Sequence, residues 1–305
     1  MVHAATPFTT GYLGLELGRR LGLPVVYEHR GFRAETRVSE RGGPGRASDR
    51  YERDSDAELR CMAEADMVVT LAEVMKAQVV AGGISPDKVV VVPNAVDTEV
   101  FAPPPRDQGL ATALGMEADD VVIGYISGLK RYEGVRYLIE AVAELRRRGM
   151  RVHGLIVGDG SERLALERLS ERLGLGGRIT FTGQIEHADV LRHYGLIDCF
   201  VVPRTADAVC QLVTPLKPFE AMATARTVVV SGTDALREIV RDGETGLVFE
   251  PESVESLVRV LEPLVEDRAR REELGAAARE WVVRERTWRG NVRRYVDLYD
   301  RLGAL

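Results

Sequence analysis

The sequence has little of what marks several common classes of protein. Its 305 residues include three cysteines, Cys61, Cys199 and Cys210, an odd number without metal-ligand spacing that makes a poor disulfide framework. Apolar runs stay well short of the roughly 18–20 residues that cross a membrane, and the N-terminus lacks the basic and apolar segments of a signal peptide. The sequence also lacks an excess of basic residues, since it has 41 Lys and Arg but 47 Asp and Glu. We therefore expect a cytoplasmic protein from a reducing compartment that is not a dedicated nucleic-acid binder.

Length and periodicity together predict two α/β domains. At about 150 residues per domain, the chain has room for two. Runs of β-branched residues alternate with stretches of helical periodicity, which is typical of parallel sheets covered by helices on both faces. The predicted strands cover residues 25–28, 67–70, 88–91, 121–126, 152–157, 179–182, 199–202, 227–231 and 247–249. The expected fold is α/β, with two Rossmann-like domains in tandem.

A proline-rich stretch, Pro103-Pro104-Pro105, breaks the pattern and marks a linker. We expect an N-terminal domain over residues 1–104, a C-terminal domain over residues 105–285 and a final amphipathic helix over residues 286–305. Only three strands precede the linker, or four with a stub at residues 2–3, and the chain opens as if at the end of a strand. The N-terminal domain is therefore expected to be incomplete. Residues 37–49, rich in Gly, Arg and Ser, are expected to form a mobile loop.

Six short motifs follow one another along the chain. They are Val91-Val92-Pro93-Asn94-Ala95-Val96-Asp97, Ile123-Gly124-Tyr125-Ile126-Ser127-Gly128, Gly158-Asp159-Gly160, Phe181-Thr182-Gly183, Pro218-Phe219-Glu220-Ala221-Met222-Ala223 and Asp242-Gly243-Glu244-Thr245-Gly246-Leu247-Val248. In this order and spacing they closely resemble the family-4 retaining glycosyltransferases. The resemblance implies the two-domain GT-B architecture, with the final helix packing back on the first domain. It also implies a nucleotide-diphosphate sugar as donor, and neither a metal ion nor another cofactor.

The resemblance places the donor mainly on the second domain. The segment that leads into a helix there supplies the donor-binding candidates Thr214, Pro215, Leu216, Lys217 and Glu220. Glu220 matches the family's ribose-binding glutamate, and Lys217 would add a charged contact to the diphosphate at the helix N-terminus. The alternative is that Lys217 is solvent-exposed and that Glu220 only favours the first helical turn.

Two glycines and a lysine are further donor-binding candidates. Gly128 follows the first strand of the second domain, where close approach of the backbone to a phosphate is expected, and Lys130 is a nearby cation. Gly183 lies where the family's nucleotide base packs. Ordinary tight turns, and for Lys130 a solvated loop, are the alternatives.

Two family motifs are incomplete in the second domain. The arginine and the lysine that usually hold the diphosphate correspond here to Gly128 and Glu133. The first of two glutamates spaced eight positions apart corresponds to Leu212. Arg204 or Asp207 would reach the same space, with surface loop residues as the alternative. These departures predict a variant site rather than an inactive one.

Many family members have a histidine at a strand end in the first domain that faces the donor sugar. Arg30 occupies that position here, and His29 precedes it. Because neighbouring strand residues point to opposite faces, only one of the two would face the donor. Arg30 would stabilise negative charge on the leaving group, whereas His29 would either bind a sugar hydroxyl or be a buried core histidine. Both are candidate catalytic residues.

The leading hypothesis is a retaining glycosyltransferase that transfers a sugar from a nucleotide-diphosphate sugar to an unknown acceptor, a glycan, a lipid or a small molecule. The alternative is a non-catalytic or impaired donor-binding fragment of such an enzyme, because the first domain is short and one glutamate is missing. Peripheral association with the inner face of a membrane, through residues 146–148, is a minor alternative to a helix-ending role for that basic run. No nucleic-acid partner is expected, and the oligomeric state is left open.

Overall fold

The structure, a computed structural model, describes residues 1–41 and 48–303. The first part of the chain forms β1 (Val2–Ala5), α1 (Phe8–Leu21), β2 (Val25–His29), α2 (Arg33–Arg41), α3 (Asp49–Glu64), β3 (Met67–Thr70), α4 (Glu73–Ala81), β4 (Val89–Val91) and α5 (Gln108–Ala113). The rest forms β5 (Val121–Ile126), α6 (Val135–Arg147), β6 (Val152–Val157), α7 (Arg163–Arg172), β7 (Ile179–Gly183), α8 (Val190–Leu196), β8 (Cys199–Val202), α9 (Ala208–Leu212), α10 (Lys217–Ala223), β9 (Thr227–Ser231), α11 (Asp234–Arg237), β10 (Leu247–Phe249), α12 (Val254–Glu266), α13 (Arg268–Glu285) and α14 (Trp288–Arg301). Across the described residues, no helix combines the length and the apolar composition needed to span a membrane.

The chain divides into two compact units. Unit 1 consists of residues 1–95, 207–214 and 288–305, and unit 2 consists of residues 96–206 and 215–287. The predicted division lies at residues 104 and 285, and it places residues 207–214 in the second domain. These residues include α9, which packs against α2 and α4 of unit 1. Tertiary packing therefore assigns the segment to unit 1, although it lies between two strands of unit 2.

Unit 1 is built on a four-stranded parallel sheet with the strand order β1-β2-β3-β4. The stub predicted at the start of the chain is a strand of four residues. On one face of the sheet, Tyr27 and Val79 belong to a core formed with α1, α3 and α4. On the other face, Val26 and Val69 pack with Leu298 of α14. Both faces are covered, as expected for a parallel sheet.

Unit 2 is built on a six-stranded parallel sheet with the strand order β10-β9-β8-β5-β6-β7. Its inner strands are buried on both faces, so that Leu155 and Phe200 belong to one apolar cluster while Ile156 and Val201 belong to another. All six strands predicted for this part of the chain are present. The inner ones were recognisable because strands buried on both faces form nearly continuous apolar runs. The α/β fold with two parallel sheets is confirmed.

Part of the segment predicted as a mobile loop is helical. Residues 37–41 complete α2, and Ser48 caps α3 by accepting a hydrogen bond from the backbone N–H of Tyr51 at 3.2 Å. The Tyr51 hydroxyl donates to the buried carboxylate of Glu35 in α2 at 2.5 Å. Composition misjudged these residues because tertiary contacts, rather than propensity, stabilise a short polar helix. Residues 42–47 of the same segment lie outside the described part of the chain.

Candidate functional site

The carboxyl ends of β5 and β8 form a switch point in the sheet of unit 2. The two strands are neighbours, but β6 and β7 follow on one side while β9 and β10 follow on the other. In open α/β sheets, ligands bind in the crevice outside such a switch point. The candidates Gly128, Lys130 and the segment at residues 215–220 all come from connections that leave the sheet at this edge.

Two glycines pack the loops of this edge against one another. Gly158 follows β6 with φ +129°, and a Cβ there would lie 2.0 Å from the carbonyl oxygen of Ser127, which follows β5. Gly134 has φ +67°, and a Cβ there would lie 1.9 Å from the carbonyl oxygen of Pro203, which follows β8. Neither position accepts a side chain without moving the backbone. The loops after β5, β6 and β8 are therefore held in one arrangement.

Glu220, in the first turn of α10, has a carboxylate that is largely buried and held from two sides. The Tyr194 hydroxyl donates to Oε2 of Glu220 at 2.9 Å. The Lys217 ammonium donates to Oε1 at 3.2 Å and to Oε2 at 3.0 Å. Burial, together with the neighbouring carboxylate, raises the pKa of Tyr194 well above its usual value, so that its hydroxyl remains a donor. The two carboxylate oxygens are thus held in one orientation.

The residues before Glu220 divide between the two units. Lys217 has its ammonium on the Glu220 carboxylate, and Leu216 is exposed beside Pro215. Thr214 belongs to unit 1, where it is buried and its carbonyl accepts the side-chain amide of Asn94 at 3.0 Å. Because α10 has only seven residues, its dipole is short, and Lys217 supplies the positive charge of this segment.

Gly128, Lys130 and Gly183 differ in what their surroundings require. A Cβ on the exposed Gly128 would meet no heavy atom closer than 3.9 Å among the described residues, so loop packing does not demand a glycine there. Lys130 precedes a short 3-10 helix in the same loop. Gly183 ends β7 with φ +72°, and the Arg163 guanidinium lies 2.7 Å from the position of its absent Cβ. Of the two glycines, Gly183 is the one whose backbone conformation favours glycine, whereas the Arg163 side chain beside it could move.

A buried ion pair joins the ends of β5 and β8. Arg204 donates from Nη2 to Oε1 of Glu133 at 2.7 Å and from Nε to Oε2 at 3.1 Å. The Tyr125 hydroxyl donates to the same Oε2 at 2.7 Å. The side chains of Glu133 and Arg204 are only 7% and 10% exposed, so Arg204 is not a surface loop residue. Asp207, the other residue considered with it, belongs to unit 1 at the start of α9.

One of the departures described above for unit 2 takes part in this ion pair. Glu133 occupies the position where the resemblance implies a lysine, and its partner Arg204, on the loop after β8, is the candidate replacement for the missing glutamate. The two buried charges compensate each other. Sequence reasoning treated them as separate, although opposite charges at the ends of two central strands were a signal that they would meet.

Arg30 and His29 lie at the end of β2 in unit 1 and point to different environments. Arg30 is exposed, with Nε 3.5 Å from Oε1 of Glu28. His29 is fully buried, with Nδ1 3.6 Å from Oε2 of Glu58 and its ring edge-on to Phe32 at 4.7 Å. Of the two alternatives given for His29, its burial therefore matches that of a core histidine.

Two family profiles match the chain, one for each half. Residues 111–281 match the profile described as glycosyl transferases group 1. Residues 1–100 match the profile described as glycosyltransferase family 4. The first match alone covers more than half of the 305 residues.

Curated relatives share close to a third of the aligned residues. The GDP-mannose-dependent alpha-(1-6)-phosphatidylinositol monomannoside mannosyltransferase of Mycolicibacterium smegmatis is 30% identical over 209 residues, which are 68% of this chain and 55% of that protein. The D-inositol 3-phosphate glycosyltransferase of Kineococcus radiotolerans is 31% identical over 213 residues, 64% of this chain and 48% of that protein. The chain spans about half the length of the curated relatives it matches.

Solved structures share the fold over almost the whole chain. Sucrose-phosphate synthase from Thermosynechococcus elongatus superposes with a TM-score of 0.83 at 23% identity, covering 99% of this chain and 73% of that one. HepE from Anabaena in complex with UDP gives a TM-score of 0.83 at 18% identity, covering 98% and 78%. At these identities the likeness shows the fold, and the profiles show the family. The chain belongs to the group 1 glycosyl transferases, within the family-4 glycosyltransferases of GT-B fold.

Proposed function

We propose that the chain acts as a retaining glycosyltransferase that takes its sugar from a nucleotide-diphosphate sugar. Unit 2 binds the donor at the carboxyl edge of its sheet, with Glu220 on the ribose and Lys217 on the diphosphate. Membership of the family supports transfer of a glycosyl group, and the UDP bound to HepE supports a nucleotide donor. The acceptor is left open among a glycan, a lipid and a small molecule.

The arrangement of the Glu220 carboxylate carries the proposal. Two carboxylate oxygens offer about four acceptor positions, of which Lys217 uses two and Tyr194 one. A diphosphate is a stronger partner for an ammonium than a single carboxylate, so an arriving donor would draw Lys217 away from Glu220. That shift frees acceptor positions on both oxygens while Tyr194 keeps the carboxylate in place. Two ribose hydroxyls, which are neighbouring donors, match the positions released.

Isothermal titration with UDP, GDP and ADP tests donor binding. We expect one of the three to bind with a stoichiometry of one per chain, because one base is selected by the pocket. Circular dichroism of the same sample establishes that it is folded. If a folded sample binds none of the three, the proposal is wrong.

Replacing Glu220 tests the residue that carries the proposal. Glu220→Ala is expected to weaken the binding of this nucleotide by about 1–3 kcal/mol, which raises the dissociation constant roughly 5- to 150-fold, because charged hydrogen bonds to the ribose are lost. Glu255→Ala is the matched control, since Glu255 also lies in the first turn of a helix but is exposed and pairs with the exposed Arg259. An unchanged nucleotide affinity in Glu220→Ala would show that Glu220 does not bind the ribose.

Retention and independence from metal ions are further parts of the proposal. The anomeric configuration of the product, followed by NMR, is expected to equal that of the donor. Donor affinity is expected to be the same with and without EDTA, because Lys217 and backbone groups face the diphosphate. Nucleotide binding without transfer to any acceptor tried would favour the alternative of a donor-binding fragment.

A further inference from the structure

A second cleft in unit 2 lies at the opposite edge of its sheet from Glu220. It has a volume of about 610 Å³, within the range of small-molecule sites. Its lining includes Val121 and Thr227, the first residues of β5 and β9, and Asp198, which precedes β8. The cleft therefore opens at the amino ends of the strands and shares no lining residue with the candidate donor site.

The carboxylates of this cleft already have cationic partners. Asp198 pairs with Arg106 at 3.3 Å, and Glu272 pairs with Arg268 at 2.7 Å. The other two lining carboxylates, at positions 119 and 120, lie 2.9 Å and 3.8 Å from the guanidinium groups of arginines 151 and 178. The same two arginines also contact Glu117, at 3.6 Å and 2.6 Å, so that three carboxylates share two guanidinium groups. Each of the four lining carboxylates therefore has an arginine beside it.

Two arginines of the lining have neutral partners instead. Arg226 donates to the backbone carbonyls of Thr224 at 3.0 Å and Ile197 at 3.2 Å. Arg271 donates to the carbonyls of Leu264 and Val265, the latter at 3.1 Å. Within residues 1–41 and 48–303, neither guanidinium has a carboxylate oxygen within 4.0 Å.

The environment of Arg226 shows how incompletely its charge is balanced. Burial lowers the pKa of its guanidinium, the nearby Asp198 opposes this shift and Arg106 adds to it. Its partners are carbonyl oxygens, which solvate a cation without neutralising it. The cleft thus holds two guanidinium groups whose hydrogen-bond partners are neutral carbonyl oxygens.

From these contacts we infer that the cleft binds a small phosphate-bearing molecule, a phosphate monoester or a diphosphate, at Arg226 and Arg271. A guanidinium presents N–H groups in a planar fork that matches two phosphate oxygens. The phosphate group would supply the negative charge that the carbonyl partners of these two arginines lack. Because the cleft lies at the other edge of the sheet, this inference does not depend on the proposed donor site.

Titration with inorganic pyrophosphate tests the inference on the full chain. The protein is first saturated with whichever of UDP, GDP and ADP it binds, or used alone if none binds, so that the donor site is not counted. We expect one pyrophosphate per chain. Hydrogen exchange is expected to slow at residues 268–272, the first turn of α13, when pyrophosphate is present.

Variants then locate the bound pyrophosphate. Arg271→Gln is expected to lower the affinity for pyrophosphate at least tenfold. Arg271→Lys is expected to lower it less, because the positive charge remains while the planar fork of N–H groups is lost. Arg259→Gln, an exposed arginine on α12, is the control and is expected to bind as the wild type does. If Arg271→Gln does not fold, two other measurements locate the pyrophosphate. Arg226→Lys is expected to bind it more weakly, and hydrogen exchange at residues 268–272 of the wild type is expected to slow.

Two results would overturn the inference. One is a folded wild-type protein that takes up no pyrophosphate beyond the donor site, and the other is an Arg271→Gln protein with wild-type affinity. Either would leave the donor proposal standing where a nucleotide still binds. Conversely, pyrophosphate uptake at Arg271 without binding of any nucleotide would support this cleft and remove the donor proposal.

Discussion

Neutralising one member of the Glu133–Arg204 pair is expected to destabilise unit 2 strongly. The two side chains are 7% and 10% exposed and share two hydrogen bonds, so removing one charge leaves the other buried without the opposite charge of this pair. The cost of breaking such a pair is about 3–5 kcal/mol. Glu133→Gln keeps an acceptor for the Tyr125 hydroxyl, and Arg204→Met keeps the volume of the side chain. Each single variant is therefore expected to lose several kcal/mol of unfolding free energy through charge rather than through packing.

The double variant separates this explanation from a loss of contacts. Glu133→Gln combined with Arg204→Met removes both charges, so its loss should fall short of the sum of the single losses by about 2 kcal/mol or more. Urea unfolding followed by the fluorescence of Trp281 reports on unit 2, because this side chain lies in the core of that unit. The Trp288→Phe background removes the only other tryptophan, which is exposed.

An exposed pair provides the control for this double-mutant cycle. Glu255 and Arg259 are 83% and 71% exposed, and Glu255→Gln is expected to change the unfolding free energy by less than about 1 kcal/mol. The reasoning fails if Glu133→Gln is as mild as the control. It also fails if the two single losses simply add.

Three further outcomes are expected from contacts at other positions. Tyr194→Phe should weaken nucleotide binding, measured by titration, severalfold without changing the circular dichroism, because the Glu220 carboxylate that is proposed to bind the ribose loses an anchor; equal affinity would contradict this. Gly158→Ala should lower the melting temperature by several degrees, because Gly158 has a φ of +129° and a Cβ there would lie 2.0 Å from the carbonyl oxygen of Ser127. Gly128→Ala should have the melting temperature of the wild type. Burial tends to raise the pKa of Glu58, but the contact with His29 and two hydrogen bonds outweigh it and hold that pKa below 4.5. The stability that Glu58 contributes is thus present above pH 4.5 and lost as the pH falls through the lowered pKa. The urea midpoint of the wild type should therefore fall more on acidification than that of Glu58→Gln, and an equal fall in both proteins would refute this assignment.

The second sheet was predictable because its signal is local. Most strands of unit 2 are short apolar runs, and the runs are separated by helical periodicity and turn residues, so residues 121–126 and 199–202 could be placed from the sequence. The helix α9 was not predicted, and its five residues carry no periodicity of their own. What holds it is packing on α2 and α4, from elements that lie more than a hundred positions earlier.

The candidate site was predictable only in part for the same reason. The motif around Glu220 located that residue, but its partner Tyr194 is 26 positions away and belongs to no motif. The pairing of Glu133 with Arg204 spans 71 positions. Local spacing cannot encode such contacts, since they arise only once the sheet brings the ends of β5 and β8 together. The burial of His29 likewise depends on Glu58 and Phe32, which come from a helix and a loop outside its strand.

The division of the chain into two units limits how unit 2 could be exchanged between relatives. Unit 1 is made of three segments and unit 2 of two, so the polypeptide passes between the units four times. A chimera joined once, after residue 95, would import α9 and α14 along with unit 2 and would replace Leu298, which packs on Val26 and Val69. An exchange between relatives that respects both cores must instead carry residues 96–206 and 215–287 as two inserts. If unit 2 binds the donor as proposed, single substitutions within it are therefore a simpler way to change donor selectivity than an exchange of the unit.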